Sequence, residues 1–525
     1  MEAHKKVSRA AGTVGGMTLL SRIFGFIRDT VIAMMFGASA SADAFFVAFR
    51  IPNLQRRILG EGAVTSAFIP VFSECLKTQG EEEAWSFTGR LFNIFLLALI
   101  LITLGIMIFA PEITAVFAPG FVTQPGKFEL TVSLTRWMAP FLIFVGLAAF
   151  CMGILNCLKI FALPAAAPTV LNVCMILSAL LISPRLEQPI YGIAIGVLVG
   201  GFFQLLIQLP ATFRAGFRFV PVFDWKHPSI IKISKLITPA ILGLAVYEVN
   251  ILVDTLIASL LPGGSISYLY YANRLVQFPL GIFGVALGVA ILPTLSDYAA
   301  QKNMAELVKT LAFGIRLILF ITVPATVGII ILRFPIVNTL WERGAFSRET
   351  TEGTSIALLY YALGLCAFAG TKVIVSAFYS LQDTKTPAKI GIYSMLLNIV
   401  LCAILMWPLK HGGLALATSI SALFNVVTLM VILKKRLGLI GGMNILRAAG
   451  KLAVAALAMA GSIFFFNQMF FQPTAPAYYK LFILITCITL GMIVFIFVSK
   501  AVKNEELEFL KELIQERSAG KIKTD

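Results

Sequence analysis

The sequence predicts an all-α polytopic membrane protein of about 14 transmembrane helices, two pseudo-symmetric six-helix lobes around a central cavity plus two C-terminal helices. Three observations predict it. The 525 residues are 58% hydrophobic and 13% charged, about half the charge a soluble domain carries, so a water-soluble globule is excluded. Apolar runs long enough to cross a bilayer recur along the whole chain. The first half of the chain also reappears, in step, in the second.

Runs bounded by Gly, Pro or charge place spans near 14–36, 44–74, 89–111, 131–157, 161–183, 190–213, 232–261, 267–298, 307–333, 354–381, 387–408, 412–433, 446–470 and 477–499. The first follows Lys5, Lys6 and Arg9, and GASASADA at 37–44 looks like a signal-peptidase site. Arg22, Arg28 and Asp29 interrupt that run, which a signal-peptide core does not tolerate, so it reads as a retained span. After the last span, EELEFLKELIQE (505–516) alternates charge and apolar residues at helical spacing, an amphipathic helix.

Lys+Arg 42 against Asp+Glu 26 leaves +16. A nucleic-acid partner is excluded, because it needs a soluble basic face. Much of the excess sorts into alternate loops, at Lys5, Lys6 and Arg9, at Lys77, at Lys159, at Arg214, Arg218 and Lys226, and at Lys434, Lys435 and Arg436. The intervening loops hold little beyond Lys127, Arg185, Arg343, Arg348 and Lys410. By the positive-inside rule both termini are cytoplasmic. The seven cysteines lie mostly in apolar runs with no CxxC pair, and His4, His227 and His411 fall in loops or tails, so no disulfide framework, metal site or cofactor is expected.

The repeat sets the domain organisation. DTVIA at 29 returns as DTLIA at 254, a shift of 225 residues, and AFIPVFSE (67–74) returns as AILPTLSD (290–297). LNVCMILSAL (171–180) faces LNIVLCAIL (397–405) in the same order. Six spans per copy is an even number, so both copies enter from the same side, as in a rocking transporter. The domains read as 1–220 for the first lobe, 221–440 for the second, 441–502 for two appended spans and 503–525 for a cytoplasmic tail.

Charges inside spans make up the rest of the imbalance: Arg22, Arg28 and Asp29 in the first, Arg50, Arg56, Arg57 and Glu61 in the second, then Arg136, Glu248, Asp254, Arg274, Arg316 and Lys372. Six lipid-facing arginines would cost on the order of 15–20 kcal/mol, so they face a cavity, a partner or the interface. Arg57 and Glu61, four apart, are readable as a helix pair, and Arg50, Arg136 and Arg316 as snorkelling residues. Arg22, Arg28, Arg56 and Arg274 recur at matched depths of the two copies and read as functional. Guanidinium stays charged and forks onto phosphate oxygens, so the cavity suits a bulky anion such as a diphosphate, with Asp29 and Glu61 holding the forks. Pro52-Asn53 and Pro279 with Gly281 break the helices beside these charges, while Pro239, Gly243 and Pro324 are candidate hinges.

SRIFGFIRDTVIAMMFGASASADAFFVAFRIPNLQRRILGEGAVTSAFIPVF (21–72) closely resembles the MurJ/MviN family of lipid II flippases, within the MOP exporter superfamily. The likeness continues through YYANRLVQFPLGIFGVALGVAILPTLS (270–296) and FYSLQDTKTPAKI (378–390). It implies translocation of undecaprenyl-diphosphate-linked MurNAc-pentapeptide-GlcNAc (lipid II) to the outer leaflet of the bacterial inner membrane, for cell-wall biogenesis. Positions matching the family's cavity residues are Arg22, Arg28, Asp43, Arg56 and Arg274, with Asp29 and Asn53 in the same motifs. The chain departs from the family at Asn273 and Gln277, where an acidic pair is expected. The resemblance also implies a lipid-tail groove on the last two spans, and as partners lipid II, membrane lipids and the cell-wall synthesis machinery. Sodium or the membrane potential drives the return step in this reading, with Glu248, Asp254 and Asn398 as candidate ion contacts.

Two transport readings compete, a flippase for another polyprenyl-linked glycan of the O-antigen type and a MATE-like ion-coupled exporter. An enzyme is disfavoured: no DxD or DDxxD cluster is present, and Glu342, Glu349 and Glu352 read as a solvated face.

Overall fold

The computed structural model describes residues 2–56, 65–219, 222–438 and 442–518. Arg57 and Glu61 lie outside the described residues. Among the described residues every regular element is helical, as the need to satisfy backbone groups inside a bilayer demands.

Contacts divide the chain into two units, Met1–Ile266 and Ser267–Asp525. The first holds α1 (Glu2–Phe36), α2 (Ala40–Gln55), α3 (Thr65–Thr78), α4 (Glu81–Ile108), α5 (Ala110–Phe117), α6 (Lys127–Met138), α7 (Phe141–Cys157), α8 (Ala162–Leu181), α9 (Ile190–Leu206), α10 (Leu209–Arg214) and α11 (Pro228–Ser259). α12 (Ser265–Pro279) begins at the junction. The second unit continues with α13 (Val285–Ala300), α14 (Met304–Trp341), α15 (Arg348–Leu363), α16 (Leu365–Ser380), α17 (Lys385–Leu409) and α18 (His411–Leu437). It closes with α19 (Gly442–Phe470), α20 (Ala477–Ala501) and α21 (Glu505–Ser518).

Eleven described helical segments are long and apolar enough to cross a membrane. They coincide with the third to sixth and the eighth to fourteenth sequence-derived spans. The other three predicted spans fall on α1, on α2 with α3, and on α11. α1 carries the charged SRIFGFIRD motif, which dilutes its apolar signal, and α2, with 16 residues, is too short to cross a bilayer alone.

The packing boundary falls at 266/267, whereas the repeat divides the chain at 220/221. α11 opens the second copy in sequence but packs within the first unit. Its Ile230 and Ile233 are buried with Phe68 and Phe72 of α3, Phe87 of α4 and Phe150 and Ile154 of α7. Phe68 stacks on Phe72 at 5.3 Å and meets Phe150 at 5.4 Å.

Small residues decide the closest helix contacts, as expected where lipid leaves little apolar drive for association. Gly192, Gly196 and Gly200 recur every fourth residue on α9. A Cβ on Gly196 would lie 2.9 Å from the Met175 Cα of α8, and one on Gly200 3.1 Å from the Leu171 Cα.

In the second unit α14, α19 and α20 share a core around Leu452, Cys487 and Phe495. The expected tail helix forms as α21. Arg316 of α14 pairs with Glu505 at 2.8 Å and Glu506 at 3.1 Å, and Phe313 meets Phe509 edge-on at 4.7 Å. Arg316 is therefore an anchor for the tail. All seven cysteines are free thiols, and Cys75, Cys151, Cys402 and Cys487 are buried.

The loop joining α16 to α17 gives a pH-dependent prediction. The Thr386 hydroxyl and N–H donate to Asp383 at 2.6 and 2.9 Å, and the Arg436 guanidinium donates to the same carboxylate. These contacts, the Thr386 hydrogen bonds foremost, hold the Asp383 carboxyl down at about 2. A depressed carboxyl stabilises the fold above its unfolded pKa of about 4 and loses that contribution as pH falls through the folded value. Asp383→Asn is expected to lower the unfolding temperature at neutral pH and to flatten its fall between about pH 4 and pH 2, measured by thermal unfolding in detergent.

Candidate functional site

The predicted charges of the first unit fall in two groups, one on α1 and α8 and one on α2 and α11. Arg28 is buried, and its Nε and Nη2 donate to Asp29 Oδ1 at 3.0 and 2.6 Å. Its Nη1 donates to Asn172 Oδ1 of α8 at 3.0 Å, while the Asn172 amide donates to the Ser21 carbonyl at 3.1 Å. Asp29 has no exposed surface. Arg28 and Asp29 thus form a buried pair that also sets α1 on α8, with Arg22 exposed about 9 Å further along the α1 axis.

On α2 the Arg56 Nε donates to Asn53 Oδ1 at 2.9 Å, three residues apart on one helix face. Both are half-buried. Arg50 donates to the Thr255 hydroxyl of α11, which itself donates to the Ile251 carbonyl at 2.7 Å. Arg136 donates to the Met107 carbonyl at 3.1 Å.

The proline breaks take a specific form. α2 runs through Pro52, and Arg56 at its end keeps right-handed helical dihedrals, its N–H donating to the Pro52 and Asn53 carbonyls. In the second unit a π-turn over Leu280–Gly284 follows Pro279. The second copy of the repeat therefore widens just after Arg274. Such turns recur at functional sites, where they redirect side chains without ending the helix. Pro324 lies within the continuous α14 and Pro239 within the continuous α11.

The remaining predicted residues are dispersed. Asp43 is buried in the first turn of α2, about 20 Å along the helix axis from Arg56. It accepts from Lys127 and from the Gly264 N–H. Lys127, read from sequence as a loop charge, is the residue that reading missed. Its position in sparse loop sequence gave no cue to its burial.

Glu248 is buried and Asp254 half-buried on α11 of the first unit. Asn398 is buried on α17 of the second unit, near the Cys402 thiol at 3.9 Å. Arg274 is exposed on α12 and Lys372 exposed on α16. Among the described residues no group of three or more His, Cys, Asp or Glu side chains is placed to hold a metal ion.

Eleven described helices long and apolar enough to cross a membrane, on an internally repeated scaffold with a buried arginine on α1, fit a class, the multi-pass membrane transporters. Solved structures of that class share the fold. An inward-facing multidrug resistance MATE family transporter of the MOP superfamily aligns with a TM-score of 0.68 at 14% identity, over 82% of this chain and 99% of that one. At that identity the likeness concerns fold alone.

Closer likenesses resolve the family. Residues 32–500 match the family described as lipid II flippase MurJ. A protein of Vibrio cholerae serotype O1 named probable lipid II flippase MurJ is 40% identical over 466 residues, 87% of this chain and 88% of the relative. The lipid II flippase MurJ of Burkholderia cenocepacia is 34% identical over 86% of this chain and 89% of its own length. A solved lipid II flippase MurJ, in an inward closed conformation, aligns with a TM-score of 0.79 at 28% identity, over 95% of this chain and 99% of that one. The chain belongs to the MurJ family, and it is a transporter rather than an enzyme.

Proposed function

We propose that this chain is a lipid II flippase, moving undecaprenyl-diphosphate-linked MurNAc-pentapeptide-GlcNAc from the cytoplasmic to the outer leaflet of the bacterial inner membrane by alternating access. The observation that carries the reading is family membership over nearly the whole chain, at up to 40% identity to a named relative. The arginines fit that cargo. Arg22, Arg28, Arg56 and Arg274 supply guanidinium forks for a diphosphate, and the π-turn over Leu280–Gly284 lies just after the segment that carries Arg274.

The polyprenyl tail has a seat consistent with its chemistry. Ile330, Ile331 and Phe334 of α14, Phe464 of α19 and Phe471 just after it line a mainly apolar groove of about 380 Å³, which Arg333, Asn467 and Gln468 also border. Exposed Leu457, Phe465, Phe482 and Phe497 extend the apolar face over α19 and α20. The loop charges favour cytoplasmic termini. Glu248, Asp254 and Asn398 are our candidates for coupling to sodium or to the membrane potential, and the cell-wall synthesis machinery is the expected protein partner.

Complementation tests the reading. Expressed in bacteria depleted of their own lipid II flippase, the chain is expected to restore growth and cell shape. No rescue at normal membrane expression counts against it, and rescue of an O-antigen flippase mutant in its place supports the sibling cargo.

A further inference from the structure

One intramembrane cation of the second unit stands outside the arginine set. Lys372 lies in the middle of α16, eight positions before its last residue Ser380, which is about 12 Å along the helix axis. Among the described residues its ammonium has no carboxylate partner. A lysine facing hydrocarbon at that depth is strongly disfavoured, so an intramembrane cation belongs to a partner or to an aqueous face. α16 is otherwise an interior helix. Only Lys372 and Tyr379 are exposed on it, seven residues apart and therefore on one face.

The base of this side chain is held in place. α13 meets it at Gly288, where an added Cβ would lie 3.2 Å from the Lys372 Cβ and 3.3 Å from the Lys372 carbonyl oxygen. The Ser376 hydroxyl donates to the Gly288 carbonyl at 2.8 Å and, one turn back on its own helix, to the Lys372 carbonyl at 3.0 Å. Only the flexible four-carbon stem and its charged head are left to move.

Gly288 belongs to the same continuous helical segment as Arg274, Ser265–Ala300. The two are fourteen positions apart, about 20 Å along the axis. A diphosphate is far shorter than that, so Lys372 and Arg274 cannot hold it at the same moment. Lys302 follows this segment and Lys385 follows α16, so by the positive-inside rule Lys372 lies nearer the cytoplasmic face than Arg274 does.

We propose that Lys372 is a further cargo contact, a first station that takes the diphosphate from the inner-leaflet side before it reaches Arg274. The inference rests on the flippase reading above. The residue type agrees with the place. An ammonium is a compact, strongly hydrated point charge on a mobile stem, whereas a guanidinium forks onto phosphate oxygens in one fixed geometry. A station that has to pass its ligand onward is better served by the first.

The test uses the full chain in vesicles. Lys372 of the wild type is expected to react with a water-soluble amine-reactive ester, read by mass mapping of the modified peptide. Undecaprenyl diphosphate is expected to protect it, and undecaprenol, which lacks the phosphates, to leave it reactive. An unreactive Lys372, or one that both compounds or neither protect, overturns the contact. With fluorescent lipid II, K372M is expected to raise the half-saturating cargo concentration by about tenfold while unfolding near the wild-type temperature. K372R, which keeps the charge, is expected to retain most of the affinity. A K372M protein with the wild-type half-saturating concentration overturns the contact. So does one that unfolds well below wild type, because the side chain is then a packing element. Failure of the wild-type chain to move lipid II overturns the flippase reading and the contact with it, whereas wild-type transport with an unaffected K372M overturns the contact alone.

Discussion

Arg28→Ala is expected to remove transport and part of the fold together. Asp29 has no exposed surface, and Arg28 supplies it with two hydrogen bonds at 2.6 and 3.0 Å. Removing one partner of a buried charge pair costs about 3–5 kcal/mol, since the remaining charge loses a strong counter-charge. The variant also breaks the link to Asn172 that seats α1 on α8. A large drop in unfolding temperature should therefore accompany the transport defect. Asn172→Ala removes one hydrogen bond to a charged group, and about 1.5–3 kcal/mol is expected.

The double variant R28A/D29A separates the two roles. With both charges gone the burial penalty disappears, so most of the stability is expected to return. Transport is expected to stay lost, because no guanidinium is left at that depth for the diphosphate. Thermal unfolding and leaflet transfer of labelled lipid II measure the two sides. An R28A protein with wild-type stability and wild-type transport would refute both.

Legibility from sequence followed apolar contrast and local spacing. Eleven spans were readable because long apolar runs dominate those segments, and α21 because charge and apolar residues alternate at helical period. Asp29 as a holder of Arg28 was readable from the motif, whereas the Asn53–Arg56 hydrogen bond was not anticipated. Long-range partners were not. Glu505 lies 189 residues from Arg316 and Thr255 lies 205 from Arg50, and no local pattern links either pair. Lys127 looked like a loop charge because its burial comes from Asp43 and Phe121, which approach it only in the folded chain.

The helix breaks were half readable. Prolines at 52 and 279 mark where the backbone must lose a hydrogen bond. Whether that loss becomes an unwound loop or a π-turn depends on neighbouring packing. At the second site a Cβ on Gly284 would lie 3.2 Å from the Ala369 Cβ of α16, so α16 presses close against the turn. Packing boundaries were hidden for a similar reason, since repeat symmetry records ancestry while α11 is held by the aromatic core of α3, α4 and α7.

Arg274→Ala is expected to behave as the opposite of Arg28→Ala, with transport lost and the fold kept. Arg274 is exposed on α12, so its truncation removes little packing. A charge-assisted contact between guanidinium and phosphate is worth about 1.5–3 kcal/mol, which corresponds to roughly ten- to a hundredfold in cargo affinity. The unfolding temperature should stay near wild type while leaflet transfer falls by at least about tenfold. Asn273 and Gln277, on the same helix, carry no charge. Gln277→Glu places a carboxylate three residues from Arg274, within reach of an i,i+3 pair. It is expected to weaken transport in the same direction but less, by drawing the guanidinium away from the diphosphate. If Arg274→Ala transports normally while Gln277→Glu does not, the guanidinium is not the cargo contact, and residue 277 affects transport by another route.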